Sequence, residues 1–307
     1  MAAAQSRPDV TAKPSITDPS SFVVDAHTHI FPPEFSRDRA ALAERDAWFG
    51  ELYGSPKIAL AGEEELLASM DVAGVDCSII CGFPWLDQDV CRAHNDYLLD
   101  VARRNRDRVA AVTIVSPTQA RAVEEAERCL VLGAAGIGEL NADAQEFDLS
   151  EPEPLAELVE LCERFDRPLL LHVSEPVGHL YPGKGTSTPE KLQTFLLAYP
   201  EVKIVAAHWG GGLPFYELMP EISALAKNVV YDTAASTYLY RPRVFRTVID
   251  LVGADRVLLG TDYALLRQDR FIRRLRKQNV SEEELALVLG RNAARVYGLA
   301  TEAVTDD

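Results

Sequence analysis

Six histidines occur in this chain of 307 residues, and four of them close short apolar runs that read as β-strands. The runs are Phe22-Val-Val-Asp-Ala-His27-Thr-His29, Leu169-Leu-Leu-His172 and Ile204-Val-Ala-Ala-His208. Val257-Leu-Leu-Gly-Thr-Asp262 closes on a carboxylate, as does Gly136-Ile-Gly-Glu139. Imidazole and carboxylate are ligands that suit zinc and its neighbours, and a catalytic site keeps one coordination position open. Two histidines bracketing one residue at a strand end turn both rings to the same side. His27 and His29 are therefore read as a metal-binding pair rather than as core histidines satisfied by backbone. His172 follows an all-leucine strand, and a metal would supply its ring with a partner. Asp262 is read as a ligand that also accepts a proton from metal-bound water, the alternative being an N-cap for the segment after it. His208 is either a second-metal ligand or a hydrogen-bond donor to a substrate carbonyl. Trp209 beside it is a candidate substrate contact.

The elements that must carry these residues alternate between β-branched runs and helix-period segments. Strands are expected near 22–26, 75–81, 109–115, 136–140, 168–173, 202–207, 229–232 and 256–261. Between them run amphipathic stripes: Leu66, Leu67, Met70 and Ala73; Val90, His94, Tyr97, Leu98 and Val101; Leu155, Leu158, Val159, Cys162 and Phe165. Strands apolar on both faces suit a parallel sheet covered by helices. Eight such repeats predict a closed (β/α)8 barrel, a TIM barrel, in one domain over residues 21–300. Ser281-Glu-Glu-Glu284 resembles a capping box for an extra C-terminal helix. Residues 1–20 and 301–307 are expected to be loose tails. The longest connection, 30–61, carries Phe31, Phe35, Trp48, Phe49 and Tyr53 and is expected to be a lid or substrate wall over the barrel mouth.

Composition narrows the partners. Thirty-one basic against 47 acidic residues give a net charge of −16, which argues against nucleic acid. No apolar stretch approaches the ~18–20 residues of a membrane span. The opening residues lack the apolar core of a secretory signal. Five cysteines without a CxxC pair read as small core residues in a reducing compartment, so a cytoplasmic location is expected. In the segment after His172, His179 and Lys184 are candidate anion-binding groups and Glu175 a candidate ligand support, each with loop polarity as the plain alternative. Arg267 is a similar anion clamp, or one half of an exposed salt bridge. His94, on a helix stripe, is a core histidine.

As a set, Asp25-Ala-His27-Thr-His29, His172, His208, Gly260-Thr-Asp262 and the closing Asn292-Ala-Ala-Arg-Val-Tyr-Gly298 resemble the amidohydrolase superfamily. The similarity is to its amidohydrolase-related branch, which includes aminocarboxymuconate semialdehyde decarboxylase-like proteins, and it spans about 22–299. The resemblance implies that His27, His29, His172 and Asp262 bind one divalent ion, usually zinc, with His208 assisting catalysis. Many members carry a carboxylated lysine after strand four; here Glu139 stands there. It either bridges a second metal held also by His208 or is an ordinary inward carboxylate, so one metal is the floor. A homodimer is the family-level expectation.

The expected activity is that of a metal-dependent hydrolase acting on an amide, ester or lactone bond of a small anionic substrate. Asp262 would be the general base, and Glu139 tilts the reading toward hydrolysis, because a crowded or bridged site suits hydroxide generation. The competing expectation is a non-oxidative decarboxylase of a cyclic or aromatic carboxylic acid. A barrel that keeps metal only as a structural staple is the third.

Overall fold

The computed structural model describes residues 22–299, and the expected tails lie outside the described residues. Eight strands appear where apolar runs predicted them: β1 (Val24–Thr28), β2 (Cys77–Cys81), β3 (Val109–Thr113), β4 (Gly136–Leu140), β5 (Leu169–Leu171), β6 (Ile204–Ala206), β7 (Val229–Asp232) and β8 (Val257–Leu258). They pair in chain order, all parallel. The last segment returns beside the first through Ala26 N–H to Leu259 O (2.7 Å), Asp262 N–H to His27 O (2.9 Å) and His29 N–H to Tyr263 O (2.6 Å). This is the (β/α)8 barrel that the alternation predicts. Strands buried on both faces separate a barrel interior, with Val24, Ile79, Leu170 and Val205, from a larger apolar layer under the helices.

The helix stripes face that layer. Leu66 and Met70 are buried on Glu63–Ala73, Cys91, His94, Leu98 and Val101 on Gln88–Arg104, and Leu158, Val159 and Cys162 on Ala156–Phe165. The Ser281 hydroxyl accepts from Glu284 N–H and the Glu284 carboxylate from Ser281 N–H, which starts the C-terminal helical segment as expected. All five cysteines are buried free thiols. Among the described residues no helix is long and apolar enough to cross a membrane.

Residues 30–61 do form a wall, but a helical one: α1 (Pro33–Arg37), α2 (Arg39–Arg45) and α3 (Ala47–Tyr53). The Asp46 carboxylate caps α3 through Phe49 N–H (2.8 Å) and also accepts from Leu86 N–H (3.2 Å), tying the wall to the segment after β2. Phe31, Phe49, Tyr53, Phe83 and Trp85 pack ring against ring; the Phe31–Tyr53, Phe49–Trp85 and Phe83–Trp85 centroids lie 5.0, 4.9 and 4.7 Å apart. His94 sits under this cluster as a core histidine. Its Nδ1 accepts the Trp85 indole N–H (3.1 Å) and its Nε2–H donates to Ile30 O (2.8 Å).

Candidate metal centre

β1 and the segment after β8 bring the first three groups together. Asp25 is fully buried and accepts from Thr261 N–H (2.9 Å), Thr261 hydroxyl (2.5 Å) and Gln268 amide (2.8 Å), which locks the two strand ends in register. Burial dominates its titration and pushes its pKa up to about 6. His27 and His29 then project to one side, as their spacing requires, with Nε2 atoms 3.1 Å apart. Asp262 Oδ1 lies 3.8 Å from His29 Nε2.

The other three groups come from β4, β5 and the turn after β6. A Cβ on Gly138, at φ +138°, would fall 2.3 Å from Leu170 O. Glycine there lets β4 close on β5 immediately before Glu139. The Glu139 Oε1 meets His172 Nδ1 at 2.9 Å and His208 Nε2 at 3.1 Å. His208 and Trp209 both have positive φ, and a Cβ on Gly211 would lie 2.4 Å from Ser174 O. The backbone therefore passes close to Ser174 in the glycine turn that follows His208.

Two triads result: His27, His29 and Asp262; and Glu139, His172 and His208, the ligand atoms of each within 4.8 Å of one another. Glu139 links them, because its Oε2 lies 3.4 and 3.5 Å from the Nε2 atoms of His27 and His29. The donor set fits a cation. His27 Nδ1 donates to Asp232 Oδ2 (2.8 Å) and His29 Nδ1 to Cys81 O (3.1 Å), so in the neutral rings each Nε2 presents a lone pair to the other. Such a contact repels unless positive charge lies between the rings. The separation of 3.1 Å also falls within the roughly 3.0–3.4 Å spanned by two nitrogens about 2.1 Å from a shared ion. Titration points the same way. Burial opposes protonation of His27, yet Asp232 and Glu139 raise its pKa well above the ordinary value. Burial likewise opposes ionisation of Glu139, but the surrounding imidazoles hold it well below the carboxylate range.

Asp232, at the end of β7, escaped the sequence reading. Besides His27 it accepts from His208 N–H (2.9 Å) and Ala234 N–H (3.0 Å). Burial would raise its pKa, and His27 above all lowers it overall. Val229-Val-Tyr-Asp232 ends on an acid just as the other runs do, so the signal was present.

A cavity of about 590 Å³ stands on the cluster and reaches His29, Glu139, His172, His208 and Asp262, so the centre is open to small molecules. Trp48, Leu52, Tyr53 and Phe83 wall it. His179 lines it too, beside Tyr181. The cavity lining does not include Lys184, Arg267 or Trp209. The Lys184 ammonium donates to Val177 O (2.8 Å) and His179 O (3.3 Å), closing its own loop. Arg267 pairs with Asp269 at 3.0 Å, the exposed salt bridge of the plain alternative. Trp209 is buried, its indole N–H on Ser236 Oγ (2.6 Å). Glu175 accepts from the Tyr181 hydroxyl (2.7 Å) rather than supporting a ligand. The loop acts on the centre through Gly183, whose carbonyl lies 3.2 Å from His172 Nε2 and leaves Nδ1 to face Glu139.

The family model described as amidohydrolase matches residues 24–299. Among solved structures, 5-carboxyvanillate decarboxylase LigW from Sphingomonas paucimobilis is 19% identical with a TM-score of 0.75, covering 91% of this chain and 99% of that one. The Novosphingobium aromaticivorans 5-carboxyvanillate decarboxylase, complexed with manganese and a nitrobenzoic acid, is 18% identical at a TM-score of 0.73, covering 95% of this chain and 100% of that one. The 2,6-dihydroxybenzoate decarboxylase from Rhizobium is 19% identical at 0.66, covering 90% and 98%. These similarities correct the expectation of a hydrolase. It leaned on Glu139 as a sign of hydroxide generation, whereas the named activity of these proteins is a carbon–carbon lyase reaction.

Proposed function

The chain belongs to the amidohydrolase family, and from that membership together with the site geometry we propose that it is a divalent-metal-dependent decarboxylase of a small aromatic carboxylic acid. One observation carries the reading: an aromatic-walled cavity is lined by five of the six converging imidazole and carboxylate groups. Proteins of like fold named as decarboxylases of 5-carboxyvanillate and 2,6-dihydroxybenzoate support the choice of substrate class.

His27, His29 and Asp262 would hold one ion, and His172 and His208 a second, with Glu139 serving both. Zinc is the proposed ion for a set so rich in imidazole; manganese, present in a protein of the same fold, is the other candidate. Such an ion supplies positive charge that holds the acid's oxygens and draws electron density from the ring.

The remaining work falls to the chain's own groups. The bond to the carboxyl carbon breaks, its electron pair stays on the ring carbon, carbon dioxide leaves and a proton takes its place. Asp262, on the cavity wall beside His29, is the proposed relay of that proton, taking it up from solvent and delivering it to the ring carbon. With no ion bound, His208 keeps a proton against Glu139. Burial works against that proton, but Glu139, Asp262 and Asp232 outweigh it and raise the pKa to about 9. Burial and the Asp262 and Glu139 carboxylates raise the Tyr53 phenol, which stays neutral beside them.

The test is to measure bound metal in purified protein and then carbon dioxide release from a panel of hydroxybenzoic acids including these two. Metal-dependent release, with solvent deuterium entering the ring carbon in deuterated water, is expected. Asp262→Asn should slow it by about 10²–10⁴-fold. Metal-replete protein that releases carbon dioxide from no member of the panel overturns the reading.

A further inference from the structure

Asn141 follows β4 directly, two residues after Glu139, and is 1% exposed. Its Oδ1 accepts Asp143 N–H (3.0 Å) and Ala144 N–H (3.2 Å), capping the turn Ala142–Gln145. Its own N–H donates to Gln145 Oε1 (3.1 Å), and the Gln145 amide is itself tied to Trp85 O and Val115 O. The capping bonds fix which end of the Asn141 amide is oxygen, so Nδ2 is the end left over. Among the described residues Nδ2 has no hydrogen-bond partner, yet Asn141 lines the cavity with Glu139, His172, His208 and Asp262. A donor held rigidly at the cavity wall, with its protein partners all on the oxygen end, is placed to bond an acceptor that enters the cavity.

The charge of the cavity says what enters. Its lining holds Glu51, Glu139 and Asp262 and no lysine or arginine among the described residues, so no guanidinium or ammonium stands ready to clamp an acid. We infer that Asn141 is a specificity-determining residue whose Nδ2–H donates to the carboxylate of the aromatic acid, an inference that rests on the decarboxylase reading. A neutral donor suits that reaction. A guanidinium would bind the ground-state carboxylate strongly and oppose its conversion to uncharged carbon dioxide, whereas an amide orients it at smaller cost.

The experiment compares Asn141→Ser, which keeps a capping oxygen and removes the amide nitrogen, with wild type, both metal-loaded. Calorimetric titration with 2,6-dihydroxybenzoate and with resorcinol, the same ring without its carboxylate, gives two affinities per protein. Wild type should prefer the acid, and the variant should lose roughly 10- to 100-fold on the acid while resorcinol is unchanged. Should the serine variant fail to fold, Asn141→Asp retains the cap and replaces the donor by an acceptor, with the same loss expected. A wild type with no preference for the acid, or a variant that keeps the preference or weakens both ligands alike, overturns the inference. Carbon dioxide release by wild type is scored separately, so an error in the reaction class shows up apart from an error about Asn141.

Discussion

The Asp232 carboxylate accepts from His27 Nδ1–H and from the backbone N–H groups of His208 and Ala234, so one residue ties down a histidine of each triad. Replacing it by Asn removes the charge that keeps His27 Nε2 electron-rich. Asp232→Asn should therefore weaken divalent-metal affinity about 10- to 100-fold in chelator competition while the fold is retained; unchanged affinity would show that His27 needs no such support. His94 makes a second residue-scale prediction. With Trp85 N–H directed at Nδ1, an added proton has no acceptor, and burial lowers the pKa from the ordinary 6.5 to about 4. The unfolded chain takes up this proton near 6.5 and the folded chain only near 4. The contribution is therefore complete above pH 6.5 and is lost as pH falls through that window, reaching on the order of 3 kcal/mol. Denaturant unfolding from pH 7 to 4 should show this extra slope in wild type relative to His94→Gln; parallel curves would refute it. The candidate ligands were legible because each closes an apolar run. For Lys184 and Arg267 the structure shows the plain alternatives, because sequence gives a charge's position in a loop but not the carbonyl or acid that satisfies it nearby.

Eight strands were legible because barrel strands are short, apolar on both faces and regularly spaced, and even the two-residue β8 was marked by Val257-Leu258 before Gly260-Thr-Asp262. The wall over 30–61 was legible as aromatic but not as helical. α1, α2 and α3 have five, seven and seven residues, too short to repeat an apolar stripe, and what holds them is packing on distant rings. Phe49 is the hub of that packing, 0% exposed, with Phe31, Tyr53, Phe83 and Trp85 around it. Phe49→Ala should cost about 3–5 kcal/mol in denaturant unfolding. It should also loosen the wall that carries Tyr53, so aromatic-acid binding weakens while metal affinity, set by the strand ends, stays the same. A loss below about 1 kcal/mol would mean the wall is held elsewhere.

At the scale of the whole molecule, the candidate ligands are drawn from β1, β4, the ends of β5 and β6, and the segment after β8, so they span the place where the sheet returns to its first strand. The net charge of −16 favours the approach of divalent cations to a site that already concentrates carboxylates. An ion held by the folded barrel and not by the unfolded chain adds RT ln(1 + [M]/Kd) to stability, about 2.7 kcal/mol at a hundredfold excess over Kd. Chelation should therefore lower the melting temperature by several degrees, and added zinc or manganese should restore it in proportion to the logarithm of its concentration. Glu139 faces both triads, so Glu139→Gln should shrink that shift more than Asp262→Asn does, because the first change weakens two groups of ligands and the second only one. An equal response of the two variants would mean that Glu139 is an ordinary inward carboxylate and that a single ion occupies the barrel.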